Sequence, residues 1–231
     1  MTPFDYQADA ARTMEIVLNG GLAIIPTTVG YVILATTTEA ISKIIKVKQR
    51  GPTKLNAMVG NKSLHAALHV LDARSRQAVR LITEGYDLPM GTVGPADLSH
   101  PIIKSLEPEV LDRTSKEGTI AMLMNAGPLL DAIGQLSFEA GKLLIGSSAN
   151  LSLQGTKFRA TNIEQEVLDA ADIVIDYGLM RWSRYGRSST MVNVHDWTVV
   201  RYGSCFDLID DALRHHFGIE LPPEADHTKL R

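Results

Sequence analysis

Residues 143–152 read Leu-Leu-Ile-Gly-Ser-Ser-Ala-Asn-Leu-Ser, an apolar run that changes at Gly146 into small polar residues. A short apolar run bounded by a glycine is typical of a buried strand. Ligands of α/β sheets bind outside the carboxyl ends of strands, so the hydroxyl of Ser148 and the amide of Asn150 predict a binding site here. The alternative is a turn in which the two side chains cap nearby backbone groups, and the spacing favours neither.

The residues on both sides of this run predict an alternation of helices and strands. Apolar spacing predicts strands over 22–25, 54–59, 119–124, 142–145, 173–175, 190–194 and 198–202, and helices over 5–19, 38–47, 62–71, 74–84, from 128 onwards, 161–170 and 206–217. Glycines and prolines predict a loop over 85–101. The pattern indicates an α/β domain with a twisted, mixed parallel and antiparallel sheet and flanking helices. We expect one domain over 1–220 and a flexible C-terminal tail over 221–231.

Composition and charge exclude several classes of protein. The 231 residues are 45% hydrophobic and 21% charged, which suits a globular domain with a substantial core. The formal net charge of −3 argues against a broadly basic surface for nucleic acid. Cys205 is the only cysteine, so an intrachain disulfide and a multi-cysteine zinc site are excluded. No apolar stretch approaches the roughly 20 residues of a membrane span and no signal peptide is evident, so we expect a cytoplasmic protein with no membrane partner.

A second polar segment, Lys48-Gln-Arg-Gly-Pro-Thr-Lys54, lies where a predicted helix gives way to a loop. Gly51 and Pro52 prevent the helix from continuing, so Lys54 can fold back towards Arg50. An arginine presents a planar fork to a phosphate or carboxylate, and a lysine adds a mobile point charge. The three cations predict an anion site, and a solvated helix end is the alternative.

Two further segments combine hydroxyl groups with an aromatic or a basic side chain. Pro26-Thr-Thr-Val-Gly-Tyr31 follows a predicted strand, and its side chains suit either a small polar substrate or an ordinary turn. Ser188-Ser-Thr190 and Arg201-Tyr-Gly203 lie on the two arms of a predicted hairpin. An arginine at that place is either a surface residue or a ligand of an anion.

The seven histidines form no pattern that is typical of a metal site. His65 and His69 are four residues apart on a predicted helix, but the sequence marks no third ligand near them. A Gly-x-Ser-x-Gly turn and a P-loop are also absent, so triad hydrolysis and Walker-type phosphate binding have no support. We expect no metal site built from side chains alone.

Taken in order, these segments resemble the motifs of the YrdC family, the threonylcarbamoyl-AMP synthases. The family motif Pro-Thr-(Asp/Glu)-Thr-x-Tyr-Gly is matched in part by Pro26–Tyr31. The family also has Lys-x-Arg with a second lysine six residues after the first, Ser-Ala-Asn-x-Ser, Ser-Thr-x-Val and Arg-x-Gly, and these are matched by Lys48, Arg50 and Lys54, by 148–152, by 189–192 and by 201–203. The resemblance spans about residues 8–212, and the co-linear set is far more specific than any single motif.

The resemblance implies a YrdC-like (DHBP synthase-like) fold with a concave face that binds ATP with Mg²⁺, threonine and bicarbonate. The threonine carbamate would attack the α-phosphate and release pyrophosphate, and the product would feed the threonylcarbamoyl modification of tRNA adenosine. Tasks in this reaction are implied for three groups of residues: Lys48, Arg50 and Lys54 for the triphosphate and carboxylate, Ser148, Asn150, Ser189 and Arg201 for the nucleotide, and Thr27, Thr28 and Tyr31 for the amino-acid end. Partners among tRNA-modification proteins or RNA are implied as well.

The departures from the family pattern concern the amino-acid end. Thr28 and Val29 replace an acidic residue and a threonine, and Leu123 and Gly127 take the arginine and histidine positions of Val-Arg-x-Pro-x-His-Pro. Three readings therefore stay open: a threonylcarbamoyl-AMP synthase, a paralogue that adenylates another carbamate or carboxylate or transfers a carbamoyl group, and a catalytically weak RNA-binding module. The net charge counts against the third, because RNA affinity depends on many phosphate contacts.

Overall fold

A computed structural model of the chain describes residues 4–49 and 56–225. Ten strands of this part form one sheet: β1 (Ala23–Thr27), β2 (Gly30–Ala35), β3 (Ala57–Val59), β4 (Met90–Pro95), β5 (Ser115–Lys116), β6 (Thr119–Met124), β7 (Ile145–Ser148), β8 (Ile173–Val174), β9 (Met191–Asn193) and β10 (Val199–Arg201). Their order is β10-β9-β4-β6-β3-β7-β2-β1-β8, with β5 paired to β6. The pairs β1/β8, β3/β6 and β4/β9 are parallel and the others antiparallel, which confirms the predicted mixed sheet.

Nine α-helices of the described residues flank the sheet: α1 (Tyr6–Leu18), α2 (Thr38–Val47), α3 (Lys62–Leu68), α4 (Ala73–Arg80), α5 (Pro101–Lys104), α6 (Pro108–Asp112), α7 (Pro128–Glu139), α8 (Gln165–Asp169) and α9 (Phe206–Phe217). Local signals set several of their ends. The hydroxyl of Thr37 accepts from Ala40 N at the start of α2, and Gly218 adopts φ 60° after α9. The helices predicted over 38–47 and 206–217 are confirmed at both ends. None of the described helices is both long and apolar enough to cross a membrane.

One face of the sheet is closed by helices along its whole length. Ile24, Ile33 and Met122 belong to a core cluster that also holds apolar side chains of α2, α3, α5, α6 and α8. At the β4–β9 end, Met90 and Val192 pack with α4 and α9 in a separate cluster. We call this side the closed face. Its near-continuous apolar burial explains why apolar spacing predicted β1, β6, α2 and α9. The spacing did not predict β2, β4, α5 and α6.

The opposite face is covered only over part of its width. There α1 and α7 pack over Ala23, Ile25, Leu34 and Val59. Beyond them the sheet register aligns a row of partly exposed residues across β2, β7, β3, β6, β4 and β9. We call this row the open strip, and it consists of Val32, Ser148, Gly146, Ala57, Leu123, Ala121, Val93, Met191 and Asn193. Val32 and Leu123 of this strip also pack against the cluster of α1 and α7.

The loop predicted over 85–101 is wrong at its centre, where Met90–Pro95 form β4 between β9 and β6. Its glycines permit close packing of strands. A Cβ on Gly91 would lie 2.5 Å from Met191 Cγ, so only glycine fits beside β9. Glycine served here as a packing residue, and the pattern could not distinguish this use from a turn.

The sequence patterns also misplace the strands around two of the motifs. Pro26–Tyr31 is not a loop that follows a strand. It forms a tight β1–β2 hairpin, in which Thr27 pairs with Gly30. The strand predicted over 142–145 is found at Ile145–Ser148. Ser148 therefore belongs to a strand, where it pairs with Val32, and the loop begins after it.

The chain continues to make ordered contacts beyond residue 220, further than the tail prediction from 221 onwards allowed. Leu221 is buried with the α9 cluster, and its N–H donates to Asp210 Oδ1 at 2.9 Å. Glu224 pairs with Arg187 at 2.7 Å. An apolar side chain and a paired carboxylate hold this stretch, whereas residues 226–231 lie outside the described part.

Candidate functional site

Lys48 follows α2, and its ammonium group reaches the end of β7. Lys48 Nζ donates to the backbone oxygens of Ser148 and Asn150 and, at 3.2 Å, to Asn150 Oδ1. The backbone reinforces the contact, since Ser152 N donates to Lys48 O at 3.0 Å. The structure therefore brings Lys48, Ser148 and Asn150 together, although they belong to segments about 100 residues apart.

These contacts hold a positive charge inside the protein. Lys48 is 3% exposed, and the three oxygens that accept from it carry no formal charge. They accept the donors of the ammonium group at the end of β7. Asn150 is also fixed, because its Nδ2 donates to Leu151 O at 2.6 Å. The arrangement orients the strand end.

The β1–β2 turn uses the hydroxyl of Thr27 for its own structure. Thr27 Oγ1 donates to Gly30 O at 2.6 Å and accepts from Val29 N at 3.3 Å. The backbone of Thr28 joins two distant segments, because its N–H donates to Ala126 O at 2.8 Å and its carbonyl accepts from Trp182 N at 2.9 Å. The turn is therefore rigid, and the hydroxyl of Thr28 is the polar group of this pair that the turn does not use.

Tyr31 lies on the closed face, with its ring fully buried in the core cluster. Its hydroxyl contacts Asp176 Oδ1 and lies 3.1 Å from Gly178 O. Burial, together with the adjacent Asp176 carboxylate, raises the pKa of Tyr31 well above its ordinary value, so the phenol stays protonated. The structure does not bring this phenol to the open strip. It ties β2 to the segment after β8.

Ser189 and Arg201 form a pair at the other end of the sheet. Arg201 Nε donates to Ser189 O and one terminal nitrogen donates to Ser189 Oγ, both at 2.9 Å. Arg201 pairs with Met191 across β10 and β9, so it shares the face of the open strip. Three strands, β3, β6 and β4, separate β7 from β9. At about 4.8 Å per spacing, β7 and β9 are therefore roughly 19 Å apart across the sheet.

Arg50 and Lys54, the remaining cations of the predicted anion site, lie outside the described residues. The prediction that they bind phosphate or carboxylate stands on the sequence. Lys48 before this gap and Ala57 after it both adjoin β7, through hydrogen bonds and through strand pairing. The described residues on both sides of 50–55 therefore lie beside the strand that carries Ser148.

The floor of the open strip is made of small or apolar side chains. Leu123 stands at its centre, between the neighbouring positions of Gly91 on β4 and Val59 on β3. Ala121 and Val93 continue the floor towards β9. Where the family motif has an arginine, this chain presents an uncharged surface to a ligand.

Sequence reasoning missed the acidic residues that hold these loops in place. Asp176 accepts from Tyr31 and also from Gly178 N at 2.8 Å. Glu164 pairs with Lys157 at 2.5 Å and accepts from Leu151 N at 3.2 Å, which anchors the loop after Asn150. Asp176 lies soon after strand β8. Ser148 was predicted as a site residue because it follows an apolar strand, and the same pattern could have predicted Asp176. Glu164 offered no such signal, because its partners come from other parts of the chain.

The described residues offer no side-chain cage for a metal. No group of three or more His, Cys, Asp or Glu side chains that could hold an ion occurs within 4–49 and 56–225. Magnesium is usually bound through one or two carboxylates together with substrate phosphates and water. Binding of Mg²⁺ together with a nucleotide therefore stays a prediction.

Solved structures share this fold. A hypothetical protein, smu.1377c from Streptococcus mutans UA159, superposes with a TM-score of 0.75 at 19% identity, over 91% of this chain and 92% of that one. Sua5 from P. abyssi complexed with L-threonine gives 0.71 at 16% identity, over 96% of this chain but 61% of that one. Full-length HypF in its phosphate- and nucleotide-bound form gives 0.62 at 13% identity, over 88% and 30%. The chain thus spans about three fifths of Sua5, and at these identities the likeness establishes the fold.

A comparison with curated proteins finds no match. The family model for Sua5, YciO and YrdC, described as "Telomere recombination", matches residues 15–203. This range contains all four motif segments and the whole open strip, and it confirms the resemblance that the motifs indicated. The chain belongs to the Sua5/YciO/YrdC family.

Proposed function

We propose that the chain is an ATP-dependent nucleotidyltransferase of the L-threonylcarbamoyladenylate synthase type. It joins threonine, bicarbonate and ATP into threonylcarbamoyl-AMP and pyrophosphate, for use in tRNA modification. One observation carries the proposal: the open strip has Ser148, with the buried charge of Lys48 behind it, near one end and the Arg201–Ser189 pair at the other. Its length suits an extended nucleotide better than a single small anion.

The reaction requires the protein to position the carbamate and the ATP and to stabilise negative charge. Threonine and bicarbonate give a carbamate with loss of water, and a carbamate oxygen attacks the α-phosphorus while the bond to the pyrophosphate oxygen breaks. Lys48, through the fixed end of β7, and the predicted cations Arg50 and Lys54 would stabilise the charge that develops on the leaving pyrophosphate. A side-chain nucleophile is not required, because the barrier is lowered by holding the carbamate in line.

Ser148 and Asn150 would present the nucleotide with a hydroxyl and with a backbone that Lys48 holds rigid. Arg201 already donates to Ser189, so its remaining N–H groups are oriented on the strip side of β10. The threonine named with P. abyssi Sua5 and the nucleotide named with HypF support both halves of this assignment.

A second candidate is the adenylation of a different carbamate or carboxylate. Leu123 favours it, because an uncharged residue at the centre of the strip offers no partner to an anionic group of the substrate. A lost charge-assisted hydrogen bond weakens the binding of an anion by about 1.5–3 kcal/mol. The acceptor that binds over Leu123 would then be less polar than threonine carbamate.

One experiment separates the two candidates. The purified chain is incubated with ATP, Mg²⁺, bicarbonate and each amino acid in turn, while pyrophosphate and new adenylates are followed. Threonine-dependent pyrophosphate and threonylcarbamoyl-AMP are expected, and turnover with another acid alone would select the second candidate. The Lys54→Ala variant should lose ATP affinity, with Lys43→Ala, an exposed lysine of α2, as its control. RNA binding without nucleotide chemistry would contradict both candidates.

A further inference from the structure

Residues 149–157 form a loop that leaves the end of β7 and returns to the β1–β2 turn, and we call it the 149–157 loop. The backbone of Tyr31 holds both of its ends. Ala149 N donates to Tyr31 O at 2.9 Å, and Tyr31 N donates to Lys157 O at 2.8 Å. Because the loop starts directly after Ser148, its two limbs determine how this end of β7 is held.

One carboxylate outside the loop contacts both of its limbs. Leu151 N, on the outgoing limb, donates to Glu164 Oε2 at 3.2 Å. Lys157 Nζ, on the returning limb, pairs with Glu164 Oε1 at 2.5 Å. The two oxygens of a single side chain therefore fix the distance between the limbs. Neither Lys157 nor Glu164 belongs to the motif segments, so the resemblance to the family assigns them no task.

This ion pair is shielded from water, unlike most ion pairs at a protein surface. The side chains of Lys157 and Glu164 are 15% and 22% exposed, whereas fully exposed pairs contribute little because water screens them. Burial alone would raise the pKa of the Glu164 carboxyl, but hydrogen bonds from Lys157 and from backbone N–H groups outweigh it and lower that pKa. The carboxylate therefore stays ionised at neutral pH, and its contacts are charge-assisted hydrogen bonds.

The returning limb lies tightly against the β1–β2 turn. A Cβ on Gly30 would be 2.3 Å from Thr156 Cγ2 and 3.2 Å from Lys157 O, so only glycine fits at this place. The limb is thus fixed against the turn. Through its pair with Glu164, Lys157 extends this support to the outgoing limb, which carries the residues directly after β7.

The tip of the loop, by contrast, has little support from side chains. Leu153 is 98% exposed and has φ of 68°, in the left-handed region that favours glycine. Its neighbours are held through their backbones, because Ser152 N donates to Lys48 O at 3.0 Å and Gln154 N donates to Leu151 O at 3.2 Å. An exposed side chain adds almost no packing, so the position of the loop depends on the contacts of its limbs.

We propose that Lys157 and Glu164 are positioning residues of the nucleotide site, which fix the 149–157 loop so that Ser148 and Asn150 are placed for the nucleoside part of ATP. The inference rests on the proposed function, because it takes these two residues as nucleotide contacts. Neither member of the ion pair needs to touch the ligand, since its effect passes through the loop backbone. Groups that contact a ligand require such support, because small displacements of them weaken a site.

Binding of two ligands to the intact chain tests the proposal: ATP, and tripolyphosphate, which lacks the nucleoside. Both are titrated with Mg²⁺ in a calorimeter. Glu164→Ala should weaken ATP binding about tenfold, the effect of one charge-assisted hydrogen bond, and leave tripolyphosphate binding unchanged. Lys157→Met should weaken ATP binding as well, whereas Lys157→Arg keeps the pair and should bind ATP as the wild type does. The control Arg113→Met breaks the more exposed Arg113–Glu109 pair and should change neither affinity.

Two further measurements examine the contact itself. Glu164→Ala and Lys157→Met open the same contact, so the double variant should bind ATP no more weakly than Glu164→Ala alone, and a further loss would contradict a joint role. Deuterium exchange of the Leu151 N–H, measured without any ligand, should be faster in Glu164→Ala than in the wild type. Unchanged exchange would show that Glu164 does not hold the outgoing limb.

The outcomes separate this inference from the proposed function. If the wild type binds ATP and both Glu164→Ala and Lys157→Met bind it equally well, the positioning role is wrong, although the proposed function stands. Equal losses for ATP and tripolyphosphate would mean that the pair only supports the fold, and would also overturn the proposal. A wild type that binds no ATP would refute the proposed function and this inference with it. Should Glu164→Ala fail to fold, the comparison of Lys157→Met with Lys157→Arg decides.

Discussion

The end of β7 differs in its polar atoms from a cavity of about 210 Å³ at the β1–β2 turn, which is lined in part by Thr28, Asp87, Asp131 and Trp182. At β7 the buried ammonium of Lys48 donates to three oxygens of the Ser148–Asn150 segment, so these polar atoms are paired. At the cavity, Thr28 Oγ1 and Trp182 Nε1 are buried without partners among the described residues, and Asp131 lies near a second carboxylate. The contacts of the first region contribute to stability. The second region carries the cost of unpaired buried polar atoms.

The largest expected effect is at Lys48. Lys48→Met removes the donor of three buried acceptors, so the free energy of unfolding should fall by about 3–4 kcal/mol. Urea denaturation measures this change. Lys46→Met, an exposed position of the same helix, should stay within about 0.5 kcal/mol of the wild type. A small loss at Lys48 would show that the contacts at β7 are not stabilising.

Asp131 should give an effect that depends on pH and has the opposite sign. Its folded-state pKa of about 6 exceeds its ordinary value of 3.8, so the native protein binds the proton more tightly than the unfolded chain does. Stability is therefore lost as the pH rises from about 4 to above 6. Asp131→Asn removes this loss, and unfolding at pH 8 should become more costly by about 2 kcal/mol, with little change at pH 4. Denaturation curves at the two pH values test the sign.

Substitution of Tyr31 should cause an intermediate loss of stability, because its hydroxyl is hydrogen-bonded within the protein. Tyr31→Phe removes the hydroxyl that Asp176 and Gly178 O contact, and keeps the ring in the core. We expect the free energy of unfolding to fall by about 1–2 kcal/mol. The Tyr202→Phe variant, whose exposed hydroxyl contacts Pro222 O, is the control and should lose less. Equal losses in the two variants would mean that burial adds nothing to the Tyr31 contact.

The smallest effect is expected at Thr28, and it should be a gain. Thr28→Val keeps the shape of the side chain and removes a buried hydroxyl that has no partner within the described residues. The free energy of unfolding of the ligand-free protein should rise by about 0.5–1 kcal/mol. Thermal unfolding measures it, and a loss would indicate that the hydroxyl is already paired, for example with an ordered water.

The motifs could be found from the sequence because each one is local. The Ser-Ala-Asn-x-Ser run and the Lys-x-Arg pair are short, and their chemistry follows from residue type and spacing. Their roles within the structure could not be found in this way. Lys48 holds Ser148 and Asn150, Thr27 closes its own turn, and the phenol of Tyr31 lies on the closed face. Each of these depends on contacts between residues that are distant in the chain, or on which face of a strand a residue occupies.

The residues of the cavity were even harder to predict from the sequence. Asp87, Asp131 and Trp182 come from three separate stretches of the chain, and none belongs to a motif. The hydrogen bonds from Thr28 to Ala126 and from Trp182 to Thr28 bring their elements together, as do those from Asn125 and Arg181 to Asp87. No residue spacing in the sequence predicts that these three stretches are neighbours in the fold.

The sequence by itself determined the family, the mixed α/β class and most helices, because apolar periodicity and short motifs are local properties of a chain. Tertiary structure alone decided that Met90–Pro95 is an inner strand, that helices cover only part of one face of the sheet, and which polar groups are paired. The physical reason is that burial and hydrogen bonding depend on which distant segments meet. Glycine at position 91 illustrates it, since the same residue type serves a turn or a close strand contact according to its neighbours.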